Sequence, residues 1–439
     1  MQASDRGLRL ILISIWLGAL YLPWRSLTDR SAIEFVGALL LLDYCLLWVP
    51  FLMFSRRPWR ARLGRVLLVS ASLAGLVILA EGLMLAHVVD YRVLAKTPVF
   101  EPWNDPRNVL DGELLHVHRP YLHWKGWSLG GDLCWTLGAE PDRRYEWDIT
   151  YDRNGFRNPD PLGPVDVALI GDSIVEAIKV PVEDIFATGL ADRTGAGVAN
   201  FGQYWYGPQQ ELVVLERLAL PLRPRVCVWL FFEGNDLRDL HRYRVTMGNW
   251  AEFSRSLHRP LDRSFTKNFL HLLQRQVGSV SADPLAPTRS GLFQNADGTV
   301  ERAYFGYVTE ELSERDESAL VVLRTIFERA AAACAEAGTE FAVVFVPMKY
   351  RVIAEFCDFE PDAVCADWPL TDLPARLRTM VSGLRQVSGL RQEVRFLDLT
   401  PVLRTKAQAG VLPYFSDDSH LNEVGHEVVA EALAGFLSR

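Results

Sequence analysis

From about residue 160 onward, short apolar runs rich in β-branched residues recur, with amphipathic stretches of helical spacing between them. Runs of this kind form strands buried on both faces, and a chain that alternates them with helices folds as a parallel sheet covered on both sides. The expected strands are Val165 to Ile170, Gly197 to Phe201, Arg225 to Phe232, Glu340 to Val346 and Val394 to Leu399. Helices fit between them, as in Pro208 to Leu220 and Arg315 to Ala337. The pattern predicts a doubly wound α/β domain, with its site at the carboxyl ends of the strands.

The first 90 residues follow a different rule. Three apolar stretches, about residues 8–23, 33–54 and 66–89, each approach the ~20 residues that a helix needs to cross hydrocarbon. They predict a membrane anchor over residues 1–90. Arg56, Arg57, Arg60, Arg62 and Arg65 crowd the loop between the second and third stretches, which makes that loop cytoplasmic. The N-terminus is then cytoplasmic too, and the chain beyond Asp90 lies periplasmic or extracellular, anchored in a bacterial cytoplasmic membrane. A cleaved signal peptide is the competing reading of the first stretch, but no small-residue cleavage pattern precedes Pro23. Asp43 and Glu81 fall within expected spans, where a carboxylate is either functional or else protonated or turned toward a helix neighbour or the interface.

Charge divides the chain at the same place. Residues 1–90 carry a net +3, while the remainder carries −11. An acidic body repels phosphate backbones, so nucleic acid is not an expected partner. Residues 91–159, rich in Trp, Tyr, Pro and Gly, read as an irregular lead-in to a domain at 160–439. A long insertion at about 241–314 has enough aromatic content to fold as a lid. Cys357 and Cys365 flank a polar loop that would face an oxidising compartment, so they are candidates for a disulfide. No Cys/His spacing suggests zinc, and neither metal nor cofactor is expected.

Three polar clusters stand where strands end. The first strand runs into Gly171-Asp172-Ser173, placing a serine near a helix N-terminus, where backbone N–H groups can stabilise an oxyanion. The same residues also suit a turn or an N-cap. The third strand ends in Gly234-Asn235-Asp236, whose Asn amide can donate to an oxyanion or cap a turn. Near the C-terminus, Asp417-Asp418-Ser419-His420 offers a base and a carboxylate from one loop, and proximity alone allows either aspartate. Lys349 and Arg351 follow the fourth strand, where they either meet an anionic group or stand as solvated loop cations.

Together these segments resemble the SGNH, or GDSL-like, hydrolase superfamily over about residues 150–439. Gly171-Asp172-Ser173 matches its nucleophile block, Gly234-Asn235-Asp236 its Gly-x-Asn-Asp block, and Asp417-x-x-His420 its closing block. Tyr151 to Asn158 contains Asn154-x-Gly155-Phe156-Arg157, similar to the lead-in of membrane-anchored bacterial members. The resemblance implies a three-layer, flavodoxin-like domain and a catalytic triad of Ser173, His420 and Asp417. Its oxyanion hole would comprise the Ser173 amide, Asn235 and the backbone of Trp205. Trp205 is a departure, because the family usually has Gly at that position. The implied activity is serine-dependent cleavage of an O-acyl ester, with a cell-envelope polysaccharide as a candidate substrate. O-acyl transfer by the same residues is the alternative, and an inactive glycan-binding module is a third. The membrane is an expected partner, and nothing in the sequence identifies envelope-assembly partners.

Overall fold

The computed structural model describes residues 58–86, 88–89, 91, 102, 105, 107–249, 264–270, 287–388 and 393–438. The expected spans at 8–23 and 33–54, with Asp43, lie outside them. The chain divides into two compact units, Met1–Thr97 with Ala251–Asp283, and Pro98–Trp250 with Pro284–Arg439.

In the first unit, helix α1 (Trp59–Leu85) contains an apolar segment, Leu63–Leu85, of mean hydropathy 2.2. Its 23 residues span about 34 Å at the α-helical rise, long enough to cross a membrane. Glu81 sits one turn from its end and accepts hydrogen bonds from Ser264 Oγ and Thr266 N–H, both at 2.8 Å. Glu81 thus meets the start of the helical residues 265–270.

The second unit begins with two antiparallel hairpins, β1 (Asn108–Asp111) with β2 (Leu115–His118) and β3 (His123–Leu129) with β4 (Arg144–Thr150). A short helix, α2 (Asp132–Thr136), lies in the loop between β3 and β4. The main sheet takes strands β5 (Val167–Gly171), β6 (Val198–Gly202), β7 (Val226–Phe232), β10 (Glu340–Val346) and β12 (Arg395–Asp398). Every pairing among them is parallel. Between β7 and β10 the chain forms α6 (Asp236–Gly248) and the hairpin β8 (Ser290–Gln294) with β9 (Val300–Tyr304). A two-residue strand, β11 (Cys357–Asp358), extends that hairpin sheet.

The parallel sheet predicted by the apolar runs is therefore present, each strand within a residue or two of its expected place. Side chains alternate between two cores, which is why the runs are apolar throughout. Leu169, Val228 and Val344 face α4 (Phe186–Thr194), α10 (Thr400–Gln408) and α11 (Glu423–Leu437). Ile170, Trp229 and Val343 face α5 (Pro208–Val214), α7 (Glu314–Ala337) and α9 (Leu373–Ser388). Each such fully buried aliphatic or aromatic side chain contributes about 1.5–3 kcal/mol.

Numbered by sequence, the five sheet strands lie in the order 2-1-3-4-5. Connections from β5 and from β6 thus leave to opposite faces, and the crevice where they part opens beyond the carboxyl ends of β5 and β7. The Gly-Asp-Ser and Gly-Asn-Asp segments both emerge there.

The segment before β5 is bolted to this edge. Asp152 accepts from Asn154 N–H at 2.7 Å and Phe156 N–H at 3.0 Å, bending the chain so that Phe156 is fully buried. Arg157 donates to the carbonyls of Glu176 at 3.1 Å and Val180 at 2.8 Å. Asn158 exchanges hydrogen bonds with the Asn200 backbone at 2.7 and 2.9 Å. Gly155 adopts φ +79°, and a Cβ there would lie 2.2 Å from the His118 carbonyl oxygen. Gly155→Ala is expected to cost roughly 3 kcal/mol or more, combining left-handed strain with a backbone clash. An unchanged urea midpoint would show that this bend is not structurally required.

Candidate active site

Asp172 is the N-cap of the four-residue helix α3 (Ser173–Glu176), its side chain accepting from Ile174 N–H at 2.9 Å. The cap fixes the strand-to-helix turn and presents Ser173, half-buried, at the sheet edge. Ala177 then takes a left-handed φ of 54° and ends the helix.

His420 arrives from a loop closed on both sides. Tyr414 bridges Leu421 before α11, and Asn422 caps that helix by accepting from Gly425 N–H at 2.9 Å. The His420 Nε2 atom lies 2.8 Å from Ser173 Oγ. Its Nδ1 atom lies 2.6 Å from Asp418 Oδ1, which also accepts from the His420 backbone N–H at 3.0 Å. One carboxylate oxygen thus fixes both the ring and its backbone. With an acceptor at Nδ1, the proton belongs on that nitrogen, leaving Nε2 to accept from the serine hydroxyl.

The carboxylate facing His420 is Asp418, not the Asp417 to which the Asp-x-x-His spacing points. Successive residues of this turn project to different sides. Asp417 accepts from the N–H groups of Gly131 and Asp142, both at 3.0 Å, and from Tyr145 OH. It organises the β3–β4 loop, and its carboxylate hydrogen bonds run to that loop and to Tyr145 rather than to the imidazole. Asp418 accepts from Asp132 N–H at 2.8 Å and pairs through Oδ2 with the Lys179 ammonium. Burial lowers the His420 pKa and the Lys179 charge adds to this, while Asp132, Asp172 and Glu176 oppose it.

Asn235, buried at the start of α6, donates through Nδ2 to Asp239 at 2.7 Å and also stands against the Asp172 carboxyl. Trp205 stands where the family has Gly and nevertheless adopts the left-handed φ of 65° that Gly supplies at little cost. Arg242 stabilises this geometry, donating to the Trp205 carbonyl at 2.8 Å with its guanidinium 4.3 Å from the indole centroid. The backbone course therefore persists despite the large side chain.

Behind this edge lie four buried carboxyls, Asp172, Glu211, Asp236 and Asp239. Burial pushes Asp172 up to about 6, against the opposing hydrogen bond from Ile174 N–H, and it raises the other three as well. An unfolded Asp releases its proton near pH 3.9, whereas folded Asp172 retains it to about 6. The folded state binds more protons in that window, so its contribution to stability falls as pH rises through it. Asp172→Asn keeps the cap acceptor and is expected to flatten this fall, read as melting temperature against pH. An unaltered slope would remove Asp172 as its source.

Lys349 and Arg351 do not stand as solvated cations. Lys349, the first residue of α8 (Lys349–Ile353), is buried and donates to the carbonyls of Phe415 at 2.8 Å and Ser416 at 3.0 Å, bracing the histidine loop. Burial lowers it to about 7, with Asp132 and Asp417 opposing. Arg351 is held by Glu233 at 2.8 Å through Nε. Cys357 and Cys365, candidates for a disulfide by sequence, are free thiols: Cys357 lies in β11 opposite Phe293, and Cys365 Sγ approaches the Ser290 carbonyl at 3.8 Å.

The structure adds residues with no local signature. Lys179 and Asp132 reach the Asp418 loop from 239 and 286 residues away in sequence. Glu176, fully buried, accepts from His118 Nε2 at 2.8 Å, Tyr151 OH at 2.7 Å and Tyr204 N–H at 2.7 Å. Asp132, Asp418 and His420 place ligand atoms within 4.8 Å of one another. The Lys179 ammonium already pairs with this group, and the Asp418–His420 bond engages two of its three members.

Residues 307–439 match the family model described as "SGNH hydrolase-like domain, acetyltransferase AlgX". That matched segment, which carries His420, is similar to the SGNH hydrolases, a class of ester-acting enzymes. Solved structures to which this chain is similar include a putative G-D-S-L family lipolytic protein from Desulfitobacterium hafniense DCB-2. That comparison has 11% identity, covers 61% of this chain and 97% of the other, and has a TM-score of 0.31. An acetyl xylan esterase, Est2A, from the rumen bacterium Butyrivibrio proteoclasticus gives 11%, 67%, 72% and 0.32 respectively. A catalytic mutant of the acetylxylan esterase Axe2 from Geobacillus stearothermophilus gives 11%, 61%, 91% and 0.29. No curated protein matches.

Proposed function

We propose that this chain is a membrane-anchored serine esterase that cleaves an O-acyl ester, with a cell-envelope glycan as its substrate class, through an acyl-enzyme on Ser173. The observation that carries the reading is the continuous relay from Ser173 Oγ through His420 to Asp418, at 2.8 and 2.6 Å. Ser173 Oγ attacks the acyl carbonyl as its proton passes to His420 Nε2, and Asp418 stabilises the resulting imidazolium. The Ser173 and Trp205 amides and the Asn235 side chain donate to the oxyanion. The tetrahedral intermediate collapses, the Nε2 proton passes to the departing alkoxide oxygen, and the acyl group stays on Ser173. Water then repeats the sequence in reverse, releasing the acid and restoring the hydroxyl.

A second acceptor has support from the family model, whose description includes an acetyltransferase. A sugar hydroxyl would then replace water in deacylation, using the same proton path. For the anchor, we propose three spans with the arginine-rich loop cytoplasmic and the SGNH domain periplasmic or extracellular. The apolar helix Leu63–Leu85 supports the third span.

The test uses the full chain in detergent with a fluorophosphonate probe and p-nitrophenyl acetate. Covalent labelling lost in Ser173→Ala is the expected result; failure of the wild type to label would favour a binding module instead. Acetyl accumulating on an added oligosaccharide faster than free acetate would identify transfer.

A further inference from the structure

The sequence supplies two adjacent aspartates, and backbone donors alone do not choose between them. Asp417 accepts from Gly131 and Asp142 N–H groups, and Asp418 from the Asp132 N–H, all on the same loop. What separates the pair is a cation on one side and a phenol on the other. Lys179 is paired with Asp418 Oδ2, while Tyr145 OH is bonded to Asp417 Oδ1. We infer that Lys179 is a positioning residue whose ammonium fixes Asp418 rather than Asp417 against His420. This inference rests on the reading of Ser173 and His420 as nucleophile and base.

Lys179 follows Ser173 by six residues and lies two beyond the left-handed Ala177. Arg157 holds the carbonyls on either side of it, those of Glu176 and Val180. One short, braced segment therefore sets the nucleophile and the cation together. The ammonium lies 5.0 Å from the Tyr145 ring centroid, and the Lys179 side chain is only 14% exposed, so solvent screens its pairing weakly. Asp132, Asp417, Asp418 and the Cys134 thiol face it from the β3–β4 and histidine loops.

The charge has a second consequence. His420 is faced by Asp418, Asp132, Asp172 and Glu176, each favouring the imidazolium, and by Lys179, which disfavours it. Neutralising Lys179 removes the opposing charge and leaves Asp418 less compensated, so both effects raise the pH at which His420 becomes a free base.

The experiment measures kcat/KM for p-nitrophenyl acetate against pH in the full chain, comparing Lys179→Gln, Lys179→Met and Lys179→Arg, with melting temperatures for each. The Gln variant keeps a donor toward Asp418 without charge, and it serves if the Met variant fails to fold. Both neutral variants are expected to move the acidic limb upward by roughly one pH unit, a loss of about tenfold below the limb. Arg is expected to restore the wild-type limb. A role in packing alone would lower the melting temperature and leave the limb in place, and that result would overturn the inference. Ser173→Ala in the same assay separates the two readings. Full turnover there would refute the active site itself, whereas a dead Ser173→Ala with an unmoved Lys179→Gln limb would refute the Lys179 assignment alone.

Discussion

Ser173→Ala is expected to lower p-nitrophenyl acetate turnover by at least about 10⁴-fold while leaving the melting temperature nearly unchanged. The large effect follows from the geometry of the relay. His420 Nε2 has Ser173 Oγ as its 2.8 Å partner, so removing the hydroxyl leaves the base with no bound nucleophile to deprotonate. Residual rate would come from the oxyanion donors and from substrate binding, which alone sustain a small fraction of a triad's acceleration. The small stability effect follows from the location of the site. Ser173 is half-buried at the start of a four-residue helix whose cap is supplied by Asp172, so the turn survives the loss of the hydroxyl. A variant retaining wild-type turnover would require a different nucleophile.

The second large effect separates two neighbouring aspartates by the kind of loss each produces. Asp418→Asn is expected to reduce kcat by about 10³–10⁴-fold, because an amide cannot stabilise the imidazolium or hold the Nδ1–H tautomer as a carboxylate does. Asp417→Asn is expected to keep kcat within about tenfold in the folded fraction but to cost roughly 2–4 kcal/mol of stability. Its buried carboxylate accepts from two backbone N–H groups and a tyrosine hydroxyl, and charged acceptors of this kind are expensive to neutralise. Measured together, kcat and the denaturant midpoint give the two variants opposite signatures. The reverse pattern would return the carboxylate role to the Asp-x-x-His spacing.

The aspartate pair also marks the boundary of what linear reading reaches. Asp-x-x-His is a spacing, and spacing fixes which residues share a loop. It does not fix which of two consecutive side chains turns toward the imidazole. That direction depends on donors brought from β3–β4 and from the segment after α3, and no local pattern records their arrival. The same limit explains Lys349 and Arg351. Their position after β10 was legible, but their engagement with the Phe415 and Ser416 carbonyls and with Glu233 arises from packing between distant segments.

The strands were legible for a physical reason. A strand buried on both faces must be apolar at nearly every position, so the runs of β5, β7 and β10 declare themselves without reference to their neighbours, whereas β12 at the sheet edge is only partly buried. The serine turn at Asp172-Ser173 was legible too, since a cap is set within a few residues. The sequence by itself determined the parallel sheet, the serine turn and the loop that carries the histidine. Only the tertiary structure decided that Asp418 faces His420, that Lys179 pairs with it, and that Trp205 holds a glycine-like backbone under Arg242. Those outcomes depend on charge and hydrogen bonding between segments 37 residues apart for Arg242 and Trp205 and 239 apart for Lys179 and Asp418, where many partners are chemically possible and packing selects one.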